Sequence, residues 1–248
     1  MDGPPGSASR RRILGVAGLL IALGGAIASA ETQSSPPLVL FGDVRTISFR
    51  MDLTVTRPEG EKKRVLRVLL SRGEGDAYKL LLHIVQPQIL SDMKYLAIVD
   101  ASGAGSAWIK TSKGLRALPK GGADEPLFDS DLTSRDLMIG ESGSRPSLLT
   151  SEVEGESVYL LAAGSGGSKR TAVIETATGL LKRLETRNAS GVVVRRAGVE
   201  GYSSVAGVEV PTRILVEDLE RKSRTLIVFG DVEPGAKIPD SSFSKATL

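Results

Sequence analysis

The sequence predicts a mainly β fold, an antiparallel sheet or barrel, and three observations carry that expectation. Apolar and polar residues alternate with period two over segment after segment, the signature of strands with one dry face and one wet face. Short turns rich in Gly, Pro and Asn separate these segments at regular spacing. Only one stretch, Phe128 to Ile139, combines helix-start chemistry with an apolar side. At 41% hydrophobic and 25% charged residues over 248 positions, the chain can bury one sizeable core.

The N-terminus reads as an export signal. Arg10-Arg11-Arg12 precedes an apolar Gly/Ala/Leu run from Ile13 to Ala28, and Ala28-Ser29-Ala30 supplies a small-residue cleavage site. We expect residues 1–30 to be a signal peptide cut after Ala30, residues 31–43 a flexible leader, and residues 44–248 the folded domain. The apolar run is shorter than the roughly 20 residues that span a bilayer. Ser9 to Leu14 also has part of a twin-arginine export pattern.

Export changes the charge balance. Taking Arg10–Arg12 and Asp2 from the 32 basic and 29 acidic residues leaves 29 against 28. The basic pI of the whole chain therefore comes largely from the signal, and with 4% aromatic residues no nucleic-acid surface is expected. Cysteine is absent, which removes disulfides, thiolate nucleophiles, zinc–cysteine sites and N-terminal lipidation.

The strands follow in order. Ile47, Phe49, Met51, Leu53 and Val55 alternate with Ser48, Arg50, Asp52 and Thr54, and Arg57-Pro58-Glu59-Gly60 turns the chain. Arg64 to Arg72 carries Leu66, Val68 and Leu70 on one face, and Ala77 to Val85 carries Tyr78, Leu80, Leu82 and Ile84. Ser91 to Val99, Ser106 to Thr111 and Leu115 to Leu118 complete a meander. Beyond the helical stretch, strands are expected at Glu156 to Ala162, Arg170 to Thr176, Leu180 to Arg187, Gly191 to Val199, Val208 to Glu217 and Arg224 to Val232.

The chemical candidates are sparse. His83, the one histidine, sits on a strand without metal or catalytic partners at fixed spacing, which makes it a structural residue. Ser242-Phe243-Ser244-Lys245 has S-x-x-K spacing but no companion motifs, and Gly164 to Lys169 lacks P-loop spacing. Asn188-Ala189-Ser190 is a sequon that also makes an ordinary turn. Asp129, Asp131 and Asp136 crowd FDSDLTSRDL, where Thr133-x-x-Asp136 has capping-box spacing and Leu132, Leu137 and Met138 form an apolar side. With no His or Cys beside them, these acids are expected to cap and hold a short helix, not to bind a metal. No catalytic residue, metal or cofactor is expected.

One-sided strands leave an apolar face that a helix or a hydrophobic ligand must cover, and Phe128 to Ile139 is the one candidate lid. The order of landmarks supplies a reason. Met51 to Gly60, Trp108-Ile109, Phe128 to Leu137, Val210-Pro211-Thr212-Arg213 and Ile238 to Ser244 together resemble the outer-membrane lipoprotein-sorting protein family, related to the periplasmic lipoprotein carrier. That resemblance implies an open antiparallel half-barrel of about eleven strands with a short helical lid, whose apolar interior accepts acyl chains.

It further implies a periplasmic, non-enzymatic carrier of a lipid or lipoprotein towards the outer membrane. Its partners would be an acyl chain or a lipoprotein's lipid anchor, an inner-membrane transporter complex and, transiently, a membrane, and the carrier itself would be a monomer. The expected lining is Phe49, Met51, Leu53, Leu66, Val68, Leu82, Ile84 and Trp108, with Leu137 and Met138 on the lid. The same residues would serve a plain core. The competing expectation is a periplasmic sensor or scaffold module that binds a partner protein by adding a strand to a sheet edge.

Overall fold

The computed structural model describes residues 40–41, 44–75, 77–102, 104–119, 126–137, 147–153, 155–161 and 167–248. The expected signal segment, residues 31–39 of the expected leader, Gly164 to Gly166, Met138 and Ile139 lie outside the described residues. Among the described residues the chain makes one sheet of thirteen strands, ordered β6-β5-β4-β3-β2-β1-β13-β12-β11-β10-β9-β8-β7. Every neighbouring pair is antiparallel, and the sheet ends in two open edges, β6 and β7.

The first half is the meander β1 (Thr46–Arg57), β2 (Gly60–Arg72), β3 (Tyr78–Gln86), β4 (Lys94–Val99), β5 (Gly105–Thr111) and β6 (Gly114–Ala117). The second half is β7 (Ser147–Val153), β8 (Glu156–Leu161), β9 (Lys169–Glu175), β10 (Leu181–Arg187), β11 (Val193–Val205), β12 (Val208–Asp218) and β13 (Ser223–Pro234). β13 returns to pair with β1, so the halves join in the centre of the sheet and not at its edges. Gly60, at φ +140°, closes the β1–β2 turn in a conformation that a side chain would strain. Register shifts on both sides of the centre, in β1 between Ser48 and Arg50 and in β11 around Gly201, add the local bend and twist that bulges give a strand.

The alternation sorts the sheet into two faces. Phe49, Met51 and Leu53 of β1, Leu66 and Val68 of β2, and Leu82 and Ile84 of β3 are each 0–2% exposed and belong to one large apolar cluster. Covering it are Leu40 and Phe41 at the end of the leader, 2% and 0% exposed, and the segment from Pro126 to Leu137. Phe41 meets the rings of Phe49 and Phe229 at centroid distances of 4.9 and 5.8 Å. The other face carries a smaller cluster in which Leu96, Phe243 and Leu248 are buried, with Trp108 and Ile238 packed against them.

The pattern-based expectations require three corrections. Trp108 does not join the expected lining, because β4–β5 register pairs it with Leu96 on the opposite face, while Ala107 and Ile109 turn to the large cluster. The short helix expected in the lid stretch is present as a single helical turn, α1 (Ser134–Leu137), preceded by a 3₁₀ turn at Leu127–Asp129. β7 was not expected, and β11 runs on past Val199 to Val205 through a bulge where a continuous period-two reading stops. Leu40 and Phe41, within the leader expected at 31–43, are core residues.

Candidate functional site

The segment Pro126 to Leu137 crosses the large apolar cluster as a strap. It is built from its own short-range contacts: Pro126 bridges to Thr133, the Leu127 N–H donates to the Leu132 carbonyl at 2.7 Å, and the Ser130 hydroxyl donates to the Leu127 carbonyl at 2.6 Å. Phe128 and Asp129 both sit at positive φ, 52° and 58°. Two successive left-handed residues cost strain. They send the Phe128 ring into the core, 4% exposed, and leave Asp129 part-exposed.

Each of the three acids of FDSDLTSRDL holds the strap to a different part of the sheet. Asp129 receives Arg57 Nη1 at 2.7 Å and Lys62 Nζ at 2.9 Å, with Arg64 Nη2 at 3.5 Å. Asp131 is 3% exposed, and its carboxylate accepts from the hydroxyls of Ser223 at 2.5 Å and Thr225 at 2.9 Å. The Asp131 N–H in turn donates to Thr225 Oγ1 at 2.9 Å.

Asp136 is the most enclosed. It accepts from Arg170 Nη2 at 2.7 Å, from Arg195 Nη1 at 3.0 Å and, at its other oxygen, from Arg195 Nη2. The Thr133 N–H and hydroxyl also donate to it, at 2.8 and 2.9 Å, which is the return half of the expected capping box. Burial pushes this carboxyl up, but the charges of Arg195 and Arg170 outweigh burial and hold it below the usual carboxylate range. The spare donors of Arg195 reach the Asp131 carbonyl at 2.7 and 3.2 Å.

The acids are therefore saturated by hydroxyls, guanidinium groups and an ammonium, a set of partners that anchors a loop and leaves no carboxylate free to ligate a metal. No group of three or more metal-ligating side chains occurs among the described residues. His83 Nε2 contacts the Ser91 carbonyl at 2.8 Å, a local bond across the β3–β4 connection. Lys245 of the S-x-x-K stretch lies over the Trp108 ring, 4.4 Å from its centroid.

An apolar pocket opens beside the strap. Leu132 and Leu137 form its strap side, Leu40 closes one end, and Leu181, Leu184, Ala197, Val199, Ile214, Val216 and Ile227 from β10 to β13 form its floor, with Asp136 at its margin. Its cavity volume is about 10 Å³, room for about one water. It is a seam between strap and sheet, not a formed cavity.

Of the sequence-predicted lining among the described residues, Leu137 alone borders this pocket. Phe49, Met51, Leu53, Leu66, Val68, Leu82 and Ile84 are brought together as expected, but under Phe41 and the strap, in the filled part of the face. Sequence reasoning missed Leu184, Ala197, Ile214 and Val216. They stand in the second run of strands, where the same alternation as in β1–β3 was the available signal. No described helix is long and apolar enough to cross a membrane.

The fold has solved counterparts. A DUF1329 family protein from Desulfovibrio piger superposes with a TM-score of 0.73 at 15% identity, over 83% of this chain and 92% of that one. A domain described as an outer membrane lipoprotein-sorting protein, from Vibrio parahaemolyticus, gives 0.72 at 16% identity, over 82% and 90%. A LolA superfamily protein from Nitrosomonas europaea gives 0.65 at 16% identity, over 87% and 96%. The open antiparallel half-barrel that the motif order implied is thus the architecture of this chain. The comparison with curated proteins finds no match. A family model described as an uncharacterized protein matches residues 76–248, more than half of the chain, and the chain belongs to that family.

Proposed function

We propose that this protein is a periplasmic, non-enzymatic carrier that takes an acyl chain, free or as the lipid anchor of a lipoprotein, between the strap and the floor formed by β10 to β13. The single observation that carries this reading is the apolar seam under a strap that polar bonds anchor to the sheet. A chain would enter by parting the apolar contacts of Leu132 and Leu137 with the floor, while the three acids keep the strap in place. Burying a chain contributes roughly 0.8 kcal/mol per methylene, so a long chain binds usefully without any reacting group. The export-type N-terminus and the fold shared with a lipoprotein-sorting domain support the compartment and the cargo class.

Titration of the purified mature domain with a fluorescent long-chain fatty acid tests the reading. Saturable binding is expected, and Ala197→Phe, which fills the floor of the seam, is expected to abolish it while the protein stays folded by circular dichroism. Equal binding by both proteins would remove the seam from the account.

A second reading has its own observation. All four residues of the edge strand β6 are exposed, including Leu115 at 47%, and an open edge of this kind can accept a strand from a partner protein. A proline at Arg116, on that edge, would then abolish capture of a partner and leave acyl binding intact.

A further inference from the structure

The end of the concave face at the β1–β2 turn holds more positive than negative charge. Arg57 follows Val55 on the inward-facing positions of β1, and Lys62 and Arg64 precede Leu66 on those of β2. The carboxylate they share is that of Asp129. Glu59 reaches Arg57 only at 3.9 Å and is 65% exposed, Glu61 pairs with Lys63, and the Asp131 carboxylate is taken by Ser223 and Thr225.

Arg64 is the anomaly within this group. Its side chain is 9% exposed, yet Nε and Nη1 have no hydrogen-bond partner, and Nη2 has only the 3.5 Å contact to Asp129. Burial pushes its guanidinium below the usual arginine value, although Asp129 works against that. A buried cation with unmet donors is costly unless something completes it. An apolar residue would serve the packing of β2 better at this position.

The register connects this corner to the seam. Arg64 pairs with Leu53, and Leu53 pairs on its other side with Ile227, which lines the apolar pocket. Two inter-strand steps separate Arg64 from Ile227, about 10 Å at the usual strand spacing. That is a reach an amphiphile spans between its headgroup and the first part of its chain.

We propose that Arg57, Lys62 and Arg64 form an oxyanion site that takes the phosphate or carboxylate headgroup of the carried amphiphile, the incoming oxygens completing the donors of Arg64. The proposal rests on the carrier reading of the seam and narrows its cargo to anionic lipids. Guanidinium forks and ammonium groups match such oxygens with charge-assisted hydrogen bonds.

The test uses three probes on the mature domain: palmitoyl lysophosphatidic acid, monopalmitoylglycerol with the same chain and no charge, and inorganic phosphate. Isothermal titration is expected to give the phosphate lipid about tenfold tighter binding than the neutral one, the scale of one charge-assisted hydrogen bond. Arg64→Met and Lys62→Gln are each expected to remove most of that preference, read in each variant as the ratio of its own affinities for the two lipids. Inorganic phosphate is expected to raise the Tm of the wild type, against chloride at equal ionic strength, and not that of Arg64→Met.

The outcomes separate the two levels. Binding of both lipids with no preference overturns the oxyanion site and leaves the carrier standing. No binding of either lipid overturns the carrier, and a phosphate shift lost in Arg64→Met would then identify a site for free phosphate instead of a headgroup. A phosphate shift that survives both substitutions overturns the site in either form.

Discussion

Arg195 of β11 grips the Asp136 carboxylate with both terminal nitrogens of its guanidinium, one to each oxygen, while Arg170 of β9 meets the same group from a second strand. The carboxylate is 5% exposed, so the pair is shielded from solvent. It fixes α1 against the second half of the sheet and sets the margin of the apolar seam.

Asp136→Asn is expected to destabilise the domain by about 3–5 kcal/mol, the cost of leaving buried cations without their counter-charge. Urea unfolding monitored by circular dichroism measures it. A loss below about 1 kcal/mol would mean that the strap is held chiefly by its apolar side chains.

The same pair predicts an acid limit. Asp136 has a folded-state pKa below its unfolded value of about 3.9, so its contribution is present above that pH and is lost as pH falls through the folded value. Asp129 is shifted the same way: burial raises it, and Lys62 and Arg57 more than offset that. Stability is therefore expected to hold from neutral pH to about pH 4 and to fall below it. Asp136→Asn should flatten that fall; a parallel pH profile in the variant would contradict the assignment.

Thr225→Val keeps the shape of a fully buried side chain and removes both of its bonds to Asp131. A cost of about 1–3 kcal/mol is expected, because the Asp131 N–H and one carboxylate oxygen lose their partner inside the protein. Hydrogen exchange should speed up across 127–133 and not in β3. Uniform exchange across the whole sheet would show that the strap is not a separate unit.

The single tryptophan reports on the wrong face for ligand, which makes it a useful control. Trp108 stands with Leu96 and Phe243 beneath Lys245, on the face away from the seam. Lys245→Ala is expected to shift its emission, and acyl binding is expected to leave it unchanged. A large ligand-induced change would relocate the binding site to the convex face.

The strands were legible because each hides one face, and the period-two pattern in β1, β2 and β3 names the same residues that the structure buries. β7 and the far end of β11 were not, since bulges break the period there. The start of the short helix was legible, but not what anchors it. Thr133 and Asp136 do make the local bond that starts a helix, but Asp136 is also claimed by Arg170 and Arg195 from distant strands, contacts that no local spacing records. The candidate site was half legible: the inward faces of β1 to β3 are apolar as predicted, but Phe41 and Phe128 already fill them, so the remaining seam lies over β10 to β13.

Native mass spectrometry of the protein purified from a periplasm, followed by lipid extraction, tests the carrier reading most directly. Wild-type protein should carry an added mass that extraction identifies as an acyl-chain compound, and Ala197→Phe should fly without it. Wild-type protein that is consistently ligand-free, yet retains a bound partner protein, would contradict the carrier and favour the strand-addition reading at β6.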